Sequence, residues 1–138
     1  STFLTSVTDP ETVLLTFHRS ANSEEDLDEF KTVMLRITHP DAAVPQPPLK
    51  KVFVIDLRKT SISLAQMSLS RKIISFLDSQ NNVLRSLFKS ILCVVPSKAY
   101  SVLAKSVLYF SQFHRHWHVV FSAPQDCRTE LAYLKSQK

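Results

Sequence analysis

Alternating strand and helix signals predict an α/β domain: a mostly parallel β-sheet of about four to five strands covered by helices. Three observations carry that reading. Lys51–Leu57 (KVFVIDL) holds four apolar residues in a row, three of them β-branched, as a strand buried on both faces does. Ser90–Pro96 (SILCVVP) is a second run of the same kind. Around both, apolar residues recur at spacings of three and four, the period of a helix with one buried face.

Residues 1–10 are polar and read as a flexible lead-in, with residues 11–138 as a single α/β domain. Thr12–Arg19 (TVLLTFHR) reads as a first strand, with Val13, Leu15 and Phe17 alternating. Ser23-Glu24-Glu25-Asp26 is a capped helix start, a hydroxyl followed by acids in the first turn. Leu27, Phe30, Met34 and Ile37 carry that helix to about Thr38. His39–Pro48 contains Pro40, Pro45, Pro47 and Pro48 and reads as a connecting loop.

After Lys51–Leu57, the residues Leu64, Met67, Ile73, Ile74 and Leu77 give one apolar helix face. Asn81-Asn82 reads as a break before a short helix over Val83–Lys89. Ser90–Pro96 follows as a strand. Lys98–Phe113 is amphipathic, with Ala99, Val102, Leu103, Val107 and Phe110 on one side and Tyr100, Leu108 and Tyr109 off that stripe. His118–Ala123 reads as a strand, and Pro124 opens a last helix with Cys127, Leu131 and Leu134 inside. Strand and helix therefore alternate throughout, and right-handed crossovers are expected.

Composition excludes several function classes. The chain of 138 residues has no glycine, where average usage of ~7% would supply about nine or ten. A P-loop, a dinucleotide-binding fingerprint and a nucleophile elbow all need glycine for a turn or a close backbone approach. The two cysteines, Cys93 and Cys127, read as reduced, packed thiols of an intracellular protein. No run approaches the ~18 apolar residues of a membrane span, and the start STFLTSVTDPE is not expected to be a signal peptide.

Charge is uneven. Residues 1–48 carry eight acids against three bases, and residues 49–138 carry four acids against fourteen bases. That asymmetry points to an anionic partner for the second part: membrane headgroups or an acidic protein. Lys50, Lys51, Arg58, Lys59, Lys98, Lys105 and Arg115 are the expected contacts. Aromatics are not interleaved with these bases as on a nucleic-acid platform, so no nucleic acid is expected.

Asp56 ends the central strand, where α/β folds place ligands, and is a candidate carboxylate for catalysis or metal binding. The simpler reading makes it a turn cap or a partner of Arg58 or Lys59. Ser61 and Ser63 follow as phosphate or partner contacts, or as helix caps. His114, His116 and His118 alternate in FHRHWHVV, which on a strand puts three imidazoles on one face as a candidate metal site. Their spacing of about 6.6 Å per pair works against joint ligation, and no acid lies nearby to orient them. No serine has a histidine and a carboxylate at a motif spacing, so nucleophilic catalysis has no support.

The runs VFVIDLRKTSISLAQM, SILCVVPSKAYSVLAKSVLYFSQF and HWHVVFSAP resemble the CRAL-TRIO lipid-binding domain over about residues 50–135. Val94-Val95-Pro96 stands where that family has its strand-ending turn, and Ala99–Phe113 stands at its gate helix. The family's helical N-terminal lobe and the glycines after Asp-Leu are absent. The resemblance implies most strongly the short members found in Rho guanine-nucleotide-exchange factors and spectrin-repeat proteins, which bind phosphoinositides, autoinhibit or recruit partners. It implies a hydrophobic cleft lined by Tyr100, Leu103, Val107 and Phe110. The layout is also similar to the STAS domain, but the Asp-Ser pair of that family's phosphorylation loop is missing from Ile62–Met67 (ISLAQM).

The expected function is that of a non-catalytic lipid- or protein-binding module of a larger intracellular signalling protein, cytoplasmic or at the membrane periphery, with no cofactor. The alternative is a degenerate or metal-dependent enzyme using Asp56 and the His114/His116/His118 cluster.

Overall fold

The computed structural model describes residues 2–39, 50–108 and 119–137. Five strands form one sheet in the order β1-β2-β3-β4-β5, with β1 Leu4–Thr8, β2 Thr12–Phe17, β3 Lys51–Asp56, β4 Phe88–Val94 and β5 Val119–Ser122. β2 to β5 are parallel neighbours, and β1 pairs with β2 antiparallel. The α-helices are α1 Glu24–Thr38, α2 Met67–Ser79, α3 Asn81–Leu87, α4 Lys98–Leu108 and α5 Cys127–Ser136, with a 3₁₀ turn at Leu64–Gln66. The α/β class and the mostly parallel sheet follow the sequence reading.

Residues 4–8 depart from it, forming an edge strand where a flexible lead-in was expected. Thr5 to Thr8 are exposed, so the strand has no apolar alternation to announce it. It is anchored instead by Phe3 and Leu4. The Phe3 ring meets the Phe17 ring edge-on at 5.6 Å, and Leu4 lies opposite Phe17 in the register. The β1–β2 turn works without glycine. The Asp9 carboxylate accepts from the backbone of Glu11 and Thr12 and from the Thr12 hydroxyl, all at 2.7–2.8 Å. No described residue has a positive φ, so every described turn and helix end is built in the ordinary backbone regions.

β3 and β4 are buried on both faces. One face carries Leu15, Phe53, Ile55, Ile91 and Cys93 under α1, α2 and α3. The other carries Val52, Val54, Leu92 and Val94 under Leu131 and Leu134 of α5. Strands taken in one direction put all their crossover helices on one face, which leaves α5 to cover the other. Burial follows the sequence alternation of β2, where Val13, Leu15 and Phe17 enter the larger cluster.

α1 starts as its sequence dictates: the Ser23 hydroxyl accepts from the Asp26 amide, with Glu24, Glu25 and Asp26 in the first turn. The Asp26 side chain is buried and takes both guanidinium nitrogens of Arg19 at 2.7 and 2.9 Å, plus the Asn22 amide. Arg19 also lies over the Phe3 ring. The Arg19 contact holds the Asp26 carboxyl below the usual carboxylate range. A depressed carboxyl stabilises the fold above its unfolded pKa near ~3.9, and that contribution is lost as pH falls through the folded value. Thermal melts should therefore be flat near neutrality and fall below about pH 4. Asp26→Asn should cost about 1–3 kcal/mol at neutral pH and shrink the acid-dependent loss. An unchanged acid limb in that variant contradicts the assignment.

Candidate functional site

A concave feature lies on the α1–α4 face of the sheet, toward the carboxyl ends of the parallel strands. It is a cavity of about 190 Å³ whose floor is Phe17, Ile55, Leu57, Cys93 and Phe121. Its walls are α2, through Met67, Ser70, Ile73, Ile74 and Leu77, and α4, through Tyr100, Ala104 and Leu108. The strand order is sequential, so there is no reversal point of the kind that opens a crevice in doubly wound sheets. The opening here comes from helix spacing. α2 and α4 do not pack closely on each other, and neither has a fully buried residue among those described. Their apolar inner faces look into the gap.

Among the described residues the lining carries no charge: it contains no Asp, Glu, His, Lys or Arg. Burial pushes the Cys93 thiol up to about 12 and also raises Tyr100, against its hydrogen bond with Thr60. Both stay neutral at physiological pH, so the described lining offers no general base. Its polar groups are hydroxyls and amides at the rim. Thr60 and Tyr100 share a hydrogen bond of 2.7 Å, and the Thr60 hydroxyl also lies 2.8 Å from the Leu57 carbonyl. This contact ties α4 to the loop after β3. On the other side of that loop, the Ser61 amide donates to the Ser20 hydroxyl at 2.8 Å.

Of the expected cleft residues, Tyr100 lines this cavity. Leu103 does not: it is 52% exposed on the outer side of α4. The inward ridge is Tyr100, Ala104 and Leu108, so the stripe read from sequence as the inner face is turned outward at Val102 and Leu103. Two apolar faces compete on this helix, and the half-buried tyrosine with its hydroxyl bonded to Thr60 sets the rotation. The side chain of Val107 and all of Phe110, Arg115, His114, His116 and His118 lie outside the described residues.

Asp56 is committed elsewhere. Its carboxylate accepts from the Arg58 amide at 3.0 Å and from the Arg58 guanidinium at 3.0 and 2.7 Å. Burial pushes this carboxyl up, but the Arg58 contacts outweigh it and hold it below the usual range. By strand alternation from Val52 and Val54 it faces the α5 side, and it is not in the cavity wall. Ser63 caps the 3₁₀ turn by position, without a side-chain cap bond. Among the described residues no group of three His, Cys, Asp or Glu could hold a metal ion. The expected basic contacts do not form one patch. Lys50 and Lys51 stand at the amino end of β3, and Arg58, Lys59 and Lys98 beyond the carboxyl ends of β3 and β4, about 20 Å of strand apart.

The chain matches no protein-family model, no curated protein and no solved structure.

Two outcomes follow from this geometry. Tyr100→Phe should cost about 0.5–1.5 kcal/mol and raise amide exchange across α4, since it deletes the tie to Thr60. Exchange confined to wild-type rates would show the bond does not hold the helix. With a thiol reagent, native protein should react at half-exposed Cys127 and spare buried Cys93 until unfolding.

Proposed function

We propose that this domain is a non-catalytic binding module, and that its site is the apolar cavity between α2 and α4. One observation carries the reading: two helices present apolar faces to an uncharged gap instead of to each other. Unfilled apolar volume costs stability, and a pocket lined mainly by aliphatic and aromatic side chains favours an apolar guest. The guest is a lipid acyl chain or an aliphatic group of a protein partner, oriented by the hydroxyls of Thr60, Ser61 and Tyr100 at the rim.

The resemblance of residues 50–135 to short CRAL-TRIO domains supports the same reading. It extends the proposal to a module of a larger intracellular signalling protein of the Rho exchange-factor kind, recruited by membrane lipid or a protein. The basic balance of residues 49–138 is in keeping with such a partner.

The test is titration with straight-chain fatty acids and alcohols of increasing length, followed by displacement of a fluorescent fatty acid. Affinity should rise about fourfold per methylene until the cavity is full, then level off. Ser70→Trp, which adds an indole at the exposed rim of the cavity, should abolish probe binding without lowering the melting temperature. A chain that binds none of the series, or a Trp variant that binds as wild type does, refutes the cavity as the site.

A further inference from the structure

The outside of the cavity has a chemistry of its own. Its two lips are the 3₁₀ turn Leu64–Gln66 with the loop before it, and α4. Leu64 is 91% exposed, and Val102 is 58% exposed beside Leu103. Neither stretch contains an acid: residues 57–77 and 95–108 together hold six Lys or Arg and no Asp or Glu. Arg58 is paired with Asp56, and Lys72 with Glu24. Lys59, Lys98 and Lys105 are exposed and form no ion pair among the described residues, although the Lys105 ammonium also lies 6.0 Å over the Phe121 ring.

On the helical wheel of α4, Val102 stands at the outer ridge, Lys98 and Lys105 along one flank and Leu103 along the other. An aliphatic ridge edged by lysine stems is in keeping with a helix lying in a membrane interface. Protein–protein interfaces are enriched in aromatics and depleted of lysine. Five of the twelve acids sit on α1, at Glu24, Glu25, Asp26, Asp28 and Glu29, and none falls in residues 57–77 or 95–108, so the lips themselves favour a negative surface.

We propose that the α4 ridge and the Leu64 turn dock this domain on the surface of an anionic lipid bilayer, with Leu64, Val102 and Leu103 at the headgroup–acyl boundary and Lys59, Lys98 and Lys105 on lipid phosphates. Docked this way, the cavity mouth between the lips opens toward the bilayer. The inference shares the lipid class with the proposed function but does not require the cavity to be filled.

Co-sedimentation with phosphatidylcholine vesicles, with and without phosphatidylserine, tests it at low salt. The chain should bind the anionic vesicles and leave the neutral ones. Lys59→Gln, Lys98→Gln and Lys105→Gln should each weaken binding about fivefold. Val102→Ser with Leu103→Ser should weaken it further while the melting temperature holds, since both side chains are exposed. Binding that is equal on neutral and anionic vesicles, absent on both, or undiminished in these variants overturns the proposal. So does a stable dimer that Val102→Ser dissolves, because a second copy would then cover the ridge. Ser70→Trp separates the two readings: it should lose the fatty-acid probe and keep the vesicles.

Discussion

Burial of β3 and β4 on both faces is the constraint from which the rest follows. A strand with apolar side chains on both sides must be covered twice. Its sequential parallel neighbours send their crossover helices to one face only. The second cover has to come from α5, the segment after the last strand, and Leu131 and Leu134 supply it. The first face then holds all of α1 to α4. α1 packs densely there through Phe30 and Met34, both essentially inaccessible, while α4 stands off from α2. The cavity is the remainder of that arrangement.

The missing glycines shaped the fold in a second way. With no residue at positive φ among those described, helix ends and turns rely on side chains and on backbone in ordinary regions. Asp9 organises the first hairpin, and α2 stops at Gln80 in a near-helical conformation before α3 starts one residue later. On the carboxyl side of the sheet, the Arg19–Asp26 pair spans the β2–α1 connection and the Arg58–Asp56 pair fastens the turn just after β3. Asp56 looked like a candidate for chemistry because of its position in the chain. Its neighbour two residues on makes it a fastening for the turn.

The carboxyl side of the sheet is also where the proposed readings meet. A pocket whose described lining is uncharged, with hydroxyls at its rim, has binding capacity, and its lips add exposed aliphatics and lysines without ion pairs among the described residues. Tyr100 connects the two, with its ring in the cavity wall and its hydroxyl on the loop that leads to Leu64.

Sequence alone determined the class and most of the boundaries. The β-branched runs at Lys51–Leu57 and Ser90–Pro96, the capped start at Ser23 and the three-four spacing through Ile37 are local signals, and local signals survive folding. β1 was not legible, because a strand with one exposed edge owes its place to pairing with β2 and to Phe3, not to its own pattern. Nor was the cavity. Its wall draws on side chains from Phe17 to Phe121, which only the sheet brings together. The rotation of α4 was decided by tertiary structure. Two faces of that helix are apolar enough to be buried, and the choice between them fell to the hydroxyl of Tyr100 finding Thr60, forty residues away in the chain.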